Sequence, residues 1–132
     1  AHSANVFSPV PGSWDRFGTT LGINADGTMI AVGSSGESSN ATGVNGNPFD
    51  DSADRAGAVY LFRFNKVTKM VGTAAYVKAS NTESGDGFGG VALSDDGETL
   101  AVSAVGEDSD ATGINGDQSD NSANYAGAVY VY

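Results

Sequence analysis

Gly36-Glu37-Ser38-Ser39-Asn40-Ala41-Thr42-Gly43-Val44-Asn45-Gly46 recurs as Gly106-Glu107-Asp108-Ser109-Asp110-Ala111-Thr112-Gly113-Ile114-Asn115-Gly116. Each copy continues through Asp-x-Ser-Ala (50–53 and 120–123) into Ala-Gly-Ala-Val-Tyr (56–60 and 126–130), with no gap between 32–62 and 102–132. Loops ordinarily vary more than the strands they join. A loop kept twice in one chain, at a period of about 70 residues, marks a repeat architecture. It also implies that something holds the loop itself.

The flanks of the loop read as strands. In the second copy Phe88-Gly89-Gly90-Val91-Ala92-Leu93-Ser94 is a strand, Asp95-Asp96-Gly97 a hairpin turn, and 99–105 the returning strand. The loop follows, and 126–132 is a third strand. The first copy matches over 17–24, the Asp26-Gly27 turn, 29–34 and 57–65, with its first hairpin one residue longer. A turn at Lys66-Val67-Thr68 then leads to a fourth strand over 70–80. The expected organisation is one repeat domain, 1–132, with blade-like repeats over about 17–80 and 88–132. Ala75-Tyr76-Val77-Lys78-Ala79-Ser80 runs through Gly85-Asp86-Gly87 into Phe88-Gly89. At the same spacing, Ala4-Asn5-Val6-Phe7-Ser8 runs through Gly12-Ser13-Trp14-Asp15-Arg16 into Phe17-Gly18. The second repeat therefore lacks its outer strand, and a segment over about 3–8 is expected to supply one.

Apolar residues fall on both parities: Val59 and Leu61 on one side, Tyr60, Phe62 and Phe64 on the other. Small residues fill the hairpin strands at Ala31-Val32-Gly33 and Ala101-Val102-Ser103. Sheets buried on both faces fit blades stacked radially. The expected fold class is all-β: two four-stranded antiparallel β-propeller blades, completed to a ring by oligomerisation or strand exchange. Three chains would give six blades and four would give eight. Closure removes unpaired edges, the main hazard of a β-protein.

Composition narrows the function. The net charge of −10 argues against nucleic acid, whose phosphates need clustered Lys and Arg. No cysteine is present, which excludes disulfides, zinc thiolates and a Cys nucleophile. No apolar run reaches transmembrane length, and no membrane insertion is expected. Residues 1–5 read as a mature or excised segment rather than a signal peptide. His2 is the only histidine, at a terminus, and offers neither a triad nor a metal cluster. No enzyme is expected.

The order Phe-Gly, strand, Asp-Gly turn, Leu100-Ala101-Val102, then Gly127-Ala128-Val129-Tyr130-Val131-Tyr132 resembles the FG-GAP repeat of integrin α-chain β-propellers and their bacterial relatives. Phe17-Gly18 and Phe88-Gly89 carry the first half of the motif. The Gly-Ala-Pro element is replaced by Gly33-Ser34-Ser35 and Ser103-Ala104-Val105. The family's Asp-rich calcium loop is shortened to Asn24-Ala25-Asp26-Gly27 and Ser94-Asp95-Asp96-Gly97. The resemblance implies a non-catalytic module for cell adhesion or ligand recognition, extracellular or at the cell surface, with a protein, peptide or glycan ligand. The rival readings are a structural repeat fragment without a ligand of its own, or a propeller hydrolase or lyase.

The long loops hold the candidate metal ligands. Glu37, Asn45 and Asp50 match Glu107, Asn115 and Asp120, and the second copy adds Asp108, Asp110 and Asp117. Calcium takes six to eight such oxygens. The competing reading is a compact loop held by Asx and Ser/Thr turns. Trp14 is the only tryptophan, replaced by Gly85 in copy two. It is a candidate to stack on a sugar ring, or to pack across a blade junction.

Overall fold

The computed structural model describes residues 4–132, so His2 and the first residue of the expected 3–8 strand lie outside the described residues. The fold is all-β, with seven strands among the described residues: β1 Phe17–Ile23, β2 Met29–Ser34, β3 Ala58–Phe64, β4 Val71–Val77, β5 Phe88–Leu93, β6 Leu100–Ala104 and β7 Ala128–Val131. They form two antiparallel meanders, β1-β2-β3-β4 and β5-β6-β7. Residues 4–8 form no strand in the chain alone.

Turn chemistry sets the hairpins. Asn24 Oδ1 accepts hydrogen bonds from the amides of Thr28 (3.0 Å) and Met29 (2.9 Å), fixing the β1–β2 turn. Ser94 Oγ accepts from Thr99 N in the β5–β6 turn, and Asp96 Oδ1 from Glu98 N. Both first strands open with a bulge. Register shifts between Phe17 and Thr20, and between Phe88 and Gly90, so β1 carries the extra residue read from the sequence.

The two sheets repeat one design. Phe17 meets Tyr60 and Phe62 edge-on at 5.7 and 6.1 Å, and Phe88 meets Tyr130 and Tyr132 at 5.6 and 6.3 Å. They are stacked front to back. The front of sheet two (Phe88, Leu100, Val102, Ala104, with Tyr130 and Tyr132) covers the back of sheet one (Ala31, Val59, Val77, Ala79). These residues form the main core, and each large apolar side chain buried there contributes about 1.5–3 kcal/mol. The front of sheet one gathers Val32, Ala58, Tyr60, Phe62 and Tyr76, with Val6 and Phe17 packed on it.

Glycine permits the close approach. Gly57 has φ +86°, and a Cβ there would fall on the Phe88 backbone. Beside it, Phe88 N donates to Ala56 O at 2.9 Å and Gly85 N to Asp54 O at 2.8 Å. A Cβ on Gly33 would collide with the Gly89 carbonyl. The parity assignment made for Val59 and Leu61 against Tyr60 and Phe62 therefore separates the two cores.

Candidate functional site

The retained loop grips the end of β4. Lys78 N donates to Gly43 O (2.8 Å), Gly43 N to Ala79 O (3.1 Å) and Asn45 N to Tyr76 O (2.7 Å). Asn45 Oδ1 accepts from Tyr76 N at 3.0 Å, and Val44 bridges Val77. Residues 43–45 thus act as a short fifth strand on the outer side of β4. Gly43 (φ 68°) and Asn45 (φ 58°) make this possible, because both sit in the left-handed region that Gly and Asn tolerate best.

Below this short strand lies a buried ion pair. The Lys78 ammonium donates to Glu37 Oε2 at 2.8 Å, and the Tyr76 hydroxyl donates to Glu37 Oε1 at 2.9 Å. Lys78 is fully buried and Glu37 nearly so. Burial holds the Lys78 ammonium below the usual lysine range, against the opposing pull of Glu37. Burial, then the Glu37 charge, drives the Tyr60 phenol up to about 12 and raises Tyr76 as well. Among the described residues the buried Tyr60 hydroxyl has no partner within hydrogen-bond geometry. Its counterpart Tyr130 donates to Asn81 Oδ1, and repeat spacing places Val10 where Asn81 stands.

The second loop has the same internal frame. Ser39 Oγ donates to Asn47 O and accepts from Ala41 N; Ser109 Oγ does the same with Asp117 O and Ala111 N. Gly57 N donates to Glu37 O and Gly127 N to Glu107 O, both at 2.8 Å. Gly113 (φ 77°) and Asn115 (φ 55°) match their counterparts. Glu107 is buried like Glu37. Its partners are Asn81 Nδ2 (3.0 Å) and Ser109 N (3.1 Å), and it meets no cation among the described residues.

The remaining candidate ligands have local roles. Asp50 Oδ1 accepts from Ser52 N, Asp120 Oδ1 from Ser122 N, and Asp117 Oδ1 from Ser119 N and Oγ. The serine hydroxyl is the first cause that lowers the pKa of Asp50 and Asp117, and Ser122 does so for Asp120. Asp108 Oδ1 accepts from Tyr125 N at 2.6 Å, while Asp110 and Asn115 are exposed. Among the described residues no three His, Cys, Asp or Glu side chains gather into a metal-holding group. Against Glu37, the place a metal would take is filled by the Lys78 ammonium. Trp14 is 83% exposed, in a shallow depression beside Arg16, Ser38, Asp54 and Arg55.

Sequence reasoning singled out Glu37 and Asn45 but missed Tyr76 and Lys78, their partners. The signal was present: a lone lysine in an otherwise small and apolar strand end, opposite a retained glutamate. Fold and site together define an all-β repeat whose first long loop clasps the end of a strand. Comparison with protein-family models, curated proteins and solved structures finds no match.

Proposed function

We propose that the chain is a non-catalytic recognition module of the β-propeller kind, extracellular, which assembles with copies of itself front to back. One observation carries this reading. The back of sheet one is covered by the front of sheet two, whereas the same surface on sheet two stands open: Val129 is 67% and Val131 69% exposed. Gly127 holds the left-handed φ of Gly57, and space lies beside it where Gly57 meets Phe88.

The complementary half is open on sheet one. Leu21 and Ile23 are exposed on its front, paired with Val32 and Ile30. Residues 14–17 correspond to 85–88, the tract that bonds to 54–56 at the internal junction. In a second copy they would meet the partner's 124–126. That places Trp14 and Arg16 against an exposed tyrosine, Tyr125, an arrangement suited to stacking and cation–π attraction. Trp14 is thereby a junction residue rather than a sugar platform.

Buried charge also favours a binding module over an enzyme. Lys78 and Glu37 neutralise each other instead of standing ready in a cleft. Native mass spectrometry at micromolar chain concentration tests the assembly. A trimer or tetramer is expected, and Val129→Asp with Val131→Asp is expected to give monomer. A wild-type monomer throughout the concentration range overturns the reading.

A further inference from the structure

The β3–β4 turn gathers the positive charge that the rest of the chain lacks. Residues 63–70 (Arg63-Phe64-Asn65-Lys66-Val67-Thr68-Lys69-Met70) hold three of the six cations and no carboxylate, while the other three cations face sixteen carboxylates elsewhere. The turn joins two strands that pair with each other and lies well inside the chain. Arg63, Lys66 and Lys69 are exposed and enter no ion pair among the described residues. Between the two lysines stands Val67, 90% exposed, and Met70 beside them is 70% exposed. Cations and apolar side chains thus share one tip.

The tip is ordered and its backbone is closed. Lys69 has φ 60°, a left-handed conformation that glycine or asparagine adopts more easily, so the cation is kept there against backbone strain. Its ammonium lies 6.0 Å from the centre of the Phe64 ring. Asn65 Oδ1 accepts from Val67 N (2.9 Å) and Thr68 N (3.0 Å), Asn65 O accepts from Lys69 N (2.8 Å), and Asn65 N donates to Met70 O (2.9 Å). A partner that binds through backbone hydrogen bonds finds no free donor at 67–69. A lipid surface, by contrast, requires donors that are already satisfied. Position favours the same partner. β3 and β4 run seven residues each between the retained loop and this turn, roughly 20 Å. Charges are screened over about 8 Å at physiological salt, so the carboxylates of the long loops barely act on what the tip touches. The carboxylates at the tip's own end are Asp26 on the β1–β2 turn and Asp95, Asp96 and Glu98 on the β5–β6 turn. Asp26 is held below the usual carboxylate range, first by its bonds from Thr28 and in smaller part by Lys66.

We propose that the β3–β4 turn is a docking tip for an anionic lipid bilayer, with Arg63, Lys66 and Lys69 against the headgroup phosphates and Val67 and Met70 dipping to the boundary with the acyl chains. No strand crosses the bilayer. Long lysine side chains keep their ammonium in water while their stems follow the apolar apex down. Each cation near an anionic surface strengthens binding about fivefold, so one tip gives a weak, salt-sensitive adsorption. This goes beyond the recognition reading. The tip lies within one chain, and vesicle binding by a monomer would leave it standing where the ring fails.

Flotation of the full chain with vesicles of equimolar phosphatidylglycerol and phosphatidylcholine tests this. Binding is expected at low salt, and release at about 1 M salt, where screening shortens to about 3 Å. Vesicles of phosphatidylcholine alone are expected to leave the chain in solution. Lys66→Ala is expected to weaken binding about fivefold, and Lys66→Ala with Lys69→Gly about 25-fold. Lys69→Gly also separates docking from folding, because it relieves the backbone at 69: its melting temperature is expected to equal or exceed that of wild type while its binding falls. The sequence has no cysteine, so Val67→Cys carries a single polarity-sensitive dye. Its emission is expected to shift to the blue on anionic vesicles, whereas a dye at Asp110→Cys, on the second long loop, is expected to stay unchanged. The proposal is overturned by absence of binding to the anionic vesicles, by equal binding to neutral ones, by full binding of the double lysine variant, or by a dye shift at 110 instead of 67. Displacement of the chain from vesicles by soluble polyglutamate also overturns it, in favour of an acidic protein partner.

Discussion

Lys78→Met is the sharpest test of how the first blade is held. The ammonium is fully buried, 2.8 Å from a carboxylate that is itself almost fully buried. Removing one member of such a pair leaves an uncompensated charge and costs about 3–5 kcal/mol. The Tyr76 hydroxyl still donates to Glu37, which favours the lower half of that range. For 132 residues the unfolding entropy is about 0.28 kcal/mol/K, so a loss of about 3–4 kcal/mol lowers the melting temperature by about 11–14 °C. Adding Glu37→Leu removes the stranded charge but orphans the Tyr76 hydroxyl, leaving a penalty of about 1–3 kcal/mol. Tyr76→Phe on top of both is expected to return stability close to wild type. Urea unfolding followed by circular dichroism reads the series as midpoint shifts at constant slope. A Lys78→Met loss below about 1 kcal/mol would refute the claim that this pair is desolvated and that the loop clasps β4 through it.

Gly57→Ala and Gly127→Ala occupy equivalent left-handed positions but differ in surroundings. The second is expected to cost about 1–2 kcal/mol from backbone strain alone, whereas the first also forces the sheets apart at Phe88 and is expected to cost several times as much by thermal unfolding. Asp86 has a folded pKa of about 6 against 3.8 unfolded, so the folded state binds the extra proton between those values. Stability from this group is full below about pH 4 and is lost as pH rises through 6. Asp86→Asn is therefore expected to raise the melting temperature at pH 7.5 and to flatten its rise between pH 7.5 and 5. EDTA is expected to leave the melting temperature unchanged, because Lys78 compensates Glu37 while serines and backbone amides occupy Asp50, Asp117 and Asp120; a drop, with bound metal found by mass analysis, would restore calcium to the loops.

The strands were legible because alternation and Asp-Gly or Asn-containing turns act over a few residues. The alternation of Val59 and Leu61 with Tyr60 and Phe62 marks both cores. Strand ends were less legible: the fourth strand was read to residue 80, but regular pairing with β3 stops at Val77, where the loop takes over the backbone groups. The retained loop was recognised as held by something, yet its oxygens suggested a metal. Which oxygen meets which cation depends on contacts 41 residues apart, as between Glu37 and Lys78, and spacing along the chain carries no such information. The N-terminal segment shows the same limit. Its likeness to the end of β4 is visible, but residues 4–8 have no strand partner in one chain, and Val6 rests on the front of sheet one.

The outer strands are guarded unequally. β1 and β5 each begin with a bulge, and β4 is covered by 43–45, whereas β7 runs straight in regular register. Bare straight margins are where β-proteins stick to one another. Precipitation of residues 1–132 on their own would thus be seeded along β7, and fibres grown from it would have a direction. A lysine written in at Val131 would protect that strand during storage.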